Sequence, residues 1–326
     1  MALEQLTYAV TDWREHVPDG HDHRDVPDVC VDAENQIYLY TRHASEVLVY
    51  DSGGRFLRSW GAGLFENSHG ITAGPDGSIY CADNKGHVIR KFNAHGEQLM
   101  VLGTPGVPSA TGYDGRNWPT VSCSAGPFNT CTKLAVAPNG ELYVADGYGN
   151  ARVHRFSAQG ELLQSWGEPG TGPGQFSLPH GILVLPDGRV VVADRENDRI
   201  QFFSPDGEYL DQWTDVRRPC SVQTDADGLI YVVELSSRAG HVSFVNGIIE
   251  QPQPGRVSIF NPDGTLRARW GKQGTAPGEF YAPHGLAVDA DRNVFVSEVT
   301  WTLYGQQGDA PEHYHQIQKF KRGPVV

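Results

Sequence analysis

Phe176-Ser-Leu-Pro-His-Gly-Ile-Leu-Val184 runs through Leu185-Pro-Asp-Gly188 into Arg189-Val-Val-Val-Ala-Asp194. Arg195-Glu-Asn-Asp198 then leads into Arg199-Ile-Gln-Phe-Phe203, and Ser204-Pro-Asp-Gly207 into a last run ending at Trp213. The runs are short, apolar and rich in β-branched residues. Between them stand Pro-Asp-Gly turns of the hairpin kind. The stretch therefore reads as four antiparallel strands laid side by side, with His180 at the start of the first strand and Arg195 just past the end of the second.

The same wording recurs along the chain. Six segments begin near Val26, His69, Thr132, His180, Cys220 and His284, and the fourth runs of the first five end at Trp60, Leu102, Trp166, Trp213 and Trp270. A four-stranded unit repeated every ~40–50 residues is the signature of propeller blades. The reading is an all-β, six-bladed β-propeller, one domain over residues 1–326, of four antiparallel strands per blade. The sixth segment stops at its third run, Gln316-Ile-Gln-Lys-Phe-Lys321. The piece Leu6-Thr-Tyr-Ala-Val-Thr-Asp-Trp13 supplies the missing strand, so residues of about 6–14 are expected to complete blade six and close the ring.

Three insertions interrupt the repeat: Thr104–Gly126, Ser236–Pro254 and Thr300–His315. In a meander the strands alternate in direction, so the connection into a blade and the loop after its second strand emerge on one face. All three insertions fall in such connections. That face is expected to carry the function, on long loops held by a rigid scaffold, with Tyr113, Asp114 and Trp118 shaping its mouth.

Composition narrows the classes. Lys plus Arg is 26 and Asp plus Glu 39, a formal net charge of -13. An acidic surface repels phosphate backbones, so nucleic acid is not an expected partner. No apolar run approaches the ~20 residues of a membrane helix. Met1-Ala-Leu-Glu-Gln-Leu6 has neither the basic nor the apolar region of an export leader. The expectation is a cytoplasmic chain whose cysteines (Cys30, Cys81, Cys123, Cys131 and Cys220) are free thiols. A Cys123–Cys131 bridge is the alternative for an exported chain.

When the blades are aligned on their first turns, Asp28, His69, Thr132, His180, Cys220 and His284 superpose at the start of the innermost strand. Blades two, four and six thus each send one histidine toward the axis, a third of a turn apart. Three neutral imidazoles with a fourth position open describe a catalytic zinc site. Around it, on the same face, fall Arg42, Tyr148 and Arg195, each just past a second strand. The aspartates of the recurring Ala-Asp pair (Asp83, Asp146 and Asp194), and Glu234 and Glu298 in their place, read as structural acceptors for the loop that follows.

These residues carry a resemblance. Asp146-Gly-Tyr-Gly-Asn-Ala-Arg152, Pro173-Gly-Gln-Phe-Ser-Leu-Pro-His180 and Ala193-Asp-Arg-Glu-Asn-Asp-Arg-Ile-Gln201 resemble the peptidyl-α-hydroxyglycine α-amidating lyases, six-bladed propellers of the NHL-repeat type. The similarity spans all six blades and is sharpest over 128–203. It implies zinc on His69, His180 and His284, Tyr148 as the base, Arg42 as its electrostatic partner and Arg195 as a substrate clamp. The implied reaction cleaves the C–N bond of an α-hydroxyglycine to an amide and glyoxylate.

There are departures. Ser68 precedes the first histidine in place of proline, Gly149 replaces a disulfide cysteine, and Ala282 stands where a methionine lines the family's site. Gly285 replaces a calcium-binding aspartate, so structural calcium is not expected. The family's partner hydroxylase domain has no counterpart in this sequence. The expected partner is a small or short peptide-like substrate carrying a carboxylate. Two other classes compete: a metal-dependent hydrolase on the same ring, and an NHL-repeat scaffold without activity.

Overall fold

The runs of β-branched and aromatic residues form strands because both faces of each sheet are covered by neighbouring sheets. The computed structural model describes residues 6–243 and 245–323; residues 1–5, read above for a leader, lie outside them. Six four-stranded antiparallel sheets follow one another in chain order. Blade four shows the pattern, with strands Pro179–Val184, Val190–Asp194, Arg199–Phe203 and Tyr209–Trp213. The innermost strand of each blade packs on that of the next, and the last, Pro283–Val288, packs back on the first, Asp28–Val31, which closes the ring.

The ring is sealed as the sequence implied. Tyr8–Val10 pairs antiparallel with Ile317–Arg322, in the register Tyr8 to Arg322 and Val10 to Phe320. Tyr8 stacks on Trp270 of blade five at 5.0 Å and meets the Tyr231 hydroxyl at 3.1 Å. The core lies between blades rather than within one. Cys30, Tyr38, Tyr40, Val47 and Val49 of blade one, for example, pack with Ile71, Ile79, Cys81 and Phe92 of blade two.

The tryptophans that end fourth strands serve as inter-blade keys. Trp60 lies 4.8 Å from Phe92, Trp166 5.9 Å from Phe203, Trp213 5.5 Å from Phe260 and Trp270 5.5 Å from Phe320. Each phenylalanine lies at or near the end of the third strand of the next blade, so every key couples two sheets.

The three insertions share one face. Tyr113 from the first and Thr302 from the third line one cavity with His69. Arg238 of the second caps the Tyr304 ring of the third at 4.0 Å. Trp118 departs from the expectation. It lines a separate cleft with Phe176 and Leu178, between blades three and four. A short 3-10 turn, Trp118–Thr120, forms where Pro119 fixes the backbone.

Candidate metal centre

The acidic residue ending the second strand sets where each histidine begins. Asp83 accepts from the backbone N–H groups of Glu66 and Asn67, Asp194 from that of Ser177, and Glu298 from those of Tyr281 and Ala282. These N–H groups lie two or three residues ahead of His69, His180 and His284. The carboxylates also accept from the loops that follow them, Asp83 from the Gly86 backbone N–H, Asp194 from the Asn197 side chain and Glu298 from the Thr300 hydroxyl. They therefore clamp two loops each, one more than the sequence reading assigned.

His69, His180 and His284 are 2 %, 3 % and 4 % exposed. Their ring centroids lie 4.6–5.1 Å apart. Nδ1 of His69 meets the Thr132 carbonyl at 2.7 Å, Nδ1 of His180 the Cys220 carbonyl at 2.7 Å, and Nδ1 of His284 the Pro27 carbonyl at 2.7 Å. The alternate blades without a histidine thus supply the carbonyls that orient the ones that have it. A carbonyl can only accept, so each Nδ1 carries the proton and each Nε2 keeps its lone pair. Burial holds all three below the usual imidazole range, aided at His69 and His180 by repulsion from neighbouring histidines and arginines and at His284, which lies at about 3, by Arg42, Arg195 and Lys133. Their ligating nitrogens lie within 4.8 Å of one another. This donor set fits a zinc or similar divalent ion with one position left open.

The Tyr148 hydroxyl lies 3.4 Å from Nε2 of His69 and 3.3 Å from Nε2 of His180. Its loop runs so close to blade four that a side chain at Gly147 would collide with the Pro179 carbonyl, and one at Gly149 with Asn129. The Asp-Gly-Tyr-Gly wording is thus a steric requirement for putting a phenol over the histidines.

The two arginines are held differently. Arg195 is buried, pairs with Glu196 at 2.8 Å and donates from Nη1 to the Tyr148 oxygen at 3.1 Å. Burial opposes its charge, yet Tyr148 and Glu196 raise its pKa above the usual value. Glu196 is itself shared with Arg218 at 3.0 Å and His241 at 3.2 Å. Arg42 donates from Nε to the Ser68 carbonyl at 3.2 Å and from Nη1 to Thr302 at 2.8 Å, with the buried Asp25 at 3.5 Å. Its Nη2 has no partner among the described residues. The structure therefore brings Arg195, and not Arg42, onto Tyr148. Asp25, which anchors Arg42, lay in no motif of the sequence, and Glu196, which anchors Arg195, lay within a quoted motif but was given no role.

Beneath the histidines the axial channel is filled. Lys133 pairs with Asp28, both nearly fully buried. A side chain at Gly285 would lie 2.6 Å from the Asp28 Cα and collide with Ser297. An ammonium group in the channel and no room for a carboxylate do not fit a calcium ion. All five cysteines are free; Cys131 is buried and Cys123 exposed.

Comparison with known proteins places this geometry. The NHL-repeat family profile matches residues 128–156 and 176–203. The chain carries NHL repeats. It is 34 % identical over 221 residues to the human NHL repeat-containing protein 3, covering 63 % of this chain and 60 % of that one. A probable peptidyl-alpha-hydroxyglycine alpha-amidating lyase of Caenorhabditis elegans is 30 % identical over 249 residues, covering 75 % of this chain and 65 % of that one. This NHL-repeat chain spans less than two thirds of either relative's length. Among solved structures, a streptogramin B lyase superposes with a TM-score of 0.57 at 14 % identity over 99 % of this chain and 100 % of that one, a likeness of fold alone. Among the described residues no helix is long and apolar enough to cross a membrane.

Proposed function

We propose that the protein is a zinc-dependent carbon–nitrogen lyase that cleaves an α-hydroxyglycine into an amide and glyoxylate. The observation that carries the reading is the Tyr148 hydroxyl, within 3.4 Å of two imidazole Nε2 atoms and 3.1 Å of the Arg195 guanidinium. An acid–base group stands there beside an open metal position, on a chain with homologues named amidating lyases. His69, His180 and His284 would hold a zinc ion through their Nε2 atoms, and it would supply Lewis-acid stabilisation of the charge that builds on the substrate's α-oxygen.

The chain's own residues divide the rest. Tyr148 takes the α-hydroxyl proton. The O–H electron pair becomes the second bond of the new C=O while the C–N bond breaks, its pair leaving on nitrogen. Tyr148 returns the proton to that nitrogen, so the products are an amide and an aldehyde and no water is consumed. Arg195 supplies the positive charge against which the Tyr148 oxygen works during the transfer. Arg42, fixed through Nε and Nη1, offers its remaining edge to the substrate carboxylate. This is the reverse of the division that the resemblance implied for the two arginines. It is the one their hydrogen bonds favour.

The test is direct. Zinc-loaded protein is incubated with N-acetyl- and N-benzoyl-α-hydroxyglycine, and amide and glyoxylate are measured against the spontaneous reaction. Equimolar release of both products is expected. Protein that carries zinc and leaves the spontaneous rate unchanged overturns the reading.

A further inference from the structure

The cavity lined by His69, Tyr148 and Arg42 has a volume of about 620 Å³, ample for a small ligand. The protein as a whole has a formal charge of -13, yet among the described residues no aspartate or glutamate lines this cavity. Its charged walls are Arg42 and Lys85. Arg42 has Asp25 behind it. Lys85 has no hydrogen-bond or ion-pair partner among the described residues. It is exposed, on the loop that joins the second and third strands of blade two.

His87, two residues on, lines the same cavity. Its Nδ1 accepts from the Thr130 backbone N–H at 3.0 Å. That bond fixes the proton on Nε2, which has no partner among the described residues and is a free donor. Asn84 is tied back to the Thr130 and Cys131 carbonyls, which holds the loop against blade three. An exposed, unpartnered ammonium and a fixed imidazole N–H thus share one wall of a cavity that, among the described residues, holds no carboxylate. Nothing in the cleavage step uses either of them.

We propose that Lys85 and His87 form a second anion subsite, and that the natural substrate carries a carboxylate on its acyl portion in addition to the one at the α-hydroxyglycine end. This rests on the α-hydroxyglycine reading for the first carboxylate only. The substrate class is an acidic N-acyl-α-hydroxyglycine, from a dicarboxylic acid or from a peptide with an acidic residue next to its C-terminus. A cation-lined cleft in an acidic protein draws such a dianion in and repels cationic acyl groups.

Binding and turnover test the idea separately. N-succinylglycine and N-acetylglycine lack the α-hydroxyl and cannot be cleaved, so their affinities are measured by calorimetry on zinc-loaded protein. N-succinylglycine is expected to bind about fivefold more tightly, the scale of one partly solvated charge pair. Lys85→Ala should abolish that preference and Lys85→Glu should invert it, with the melting temperature unchanged because the side chain is exposed. His87→Phe should weaken N-succinylglycine and leave N-acetylglycine unaffected. N-acetyl-aspartylglycine separates the two sources, since a peptide substrate makes it the tighter ligand. Equal binding of the succinyl and acetyl compounds, or a preference that survives Lys85→Glu, overturns the subsite. The α-hydroxylated pair then distinguishes the two readings. Cleavage of both with equal kcat/KM removes the subsite and leaves the lyase, whereas a Lys85-dependent preference in binding without glyoxylate release removes the lyase and leaves the subsite.

Discussion

Tyr148→Phe removes one oxygen atom from the centre and little else. The ring stays under the Arg195 guanidinium, whose carbon lies 5.1 Å from the ring centroid, and stays edge-on to His69 and His180 at 5.3 Å and 5.6 Å. Three contacts of the oxygen are lost: those to the two Nε2 atoms at 3.4 Å and 3.3 Å and the one from Arg195 at 3.1 Å. Only the Arg195 bond has good hydrogen-bond length, and it leaves a buried guanidinium short of one acceptor. That costs roughly 1–3 kcal/mol of stability, a fall of a few degrees in melting temperature for a chain of this size. Zinc content should be unchanged, because the Nδ1 bonds to Thr132, Cys220 and Pro27 that aim the ligands are untouched. Turnover should fall by about 10²–10⁴-fold, the usual worth of a positioned acid–base group, with KM changed much less. The assay is glyoxylate release on protein of verified zinc content, with KM and kcat separated. Near wild-type kcat at full zinc occupancy would refute the role given to Tyr148 and point to hydrolysis at the same centre.

Other outcomes follow from the same geometry. His180→Ala should lower zinc content from about one per chain to near zero at micromolar protein, while a triple-histidine variant that keeps full occupancy would place the metal elsewhere. Deleting residues through Trp13 removes the strand on Ile317–Arg322 and the Tyr8–Trp270 stack; the melting transition should broaden and drop and the exposed edge should promote aggregation, and an unchanged transition would deny the strand its closing role. Burial raises the Glu298 carboxyl to about 7 from an ordinary 4.5, so its folded form holds a proton more tightly than its unfolded form. The stabilisation linked to that proton is full below about pH 4.5 and is lost as the pH rises through 7, up to roughly 3 kcal/mol. Urea unfolding of Glu298→Gln across this window should show a flatter pH dependence than the wild type, and parallel curves would contradict the assignment.

The sequence by itself determined the ring, its closure and the three histidines. Strand runs and Pro-Asp-Gly turns are local signals, and repetition turns local signals into global positions. Once His69, His180 and His284 hold the same place in alternate repeats, a six-fold ring must aim them at one axis. The face carrying the insertions followed for the same reason, because strand direction alternates in any meander. Local signals said nothing about contacts made across the ring. Arg42 is fixed by Asp25 and Thr302, 277 residues apart, and Lys133 reaches Asp28 from two blades away. That Arg195 rather than Arg42 touches Tyr148 depends on how two loops of adjacent blades turn, and on Glu196, whose charge Arg195 shares with Arg218 and His241. The Nδ1 acceptors are backbone carbonyls of Thr132, Cys220 and Pro27, atoms that every residue carries and no sequence pattern marks. Trp118 lines a different cleft, beside Phe176 and Leu178, a placement set by contacts with the next blade. The absence of carboxylates from the cavity wall among the described residues, in a chain of net charge -13, exists only once the fold has chosen which side chains face inward.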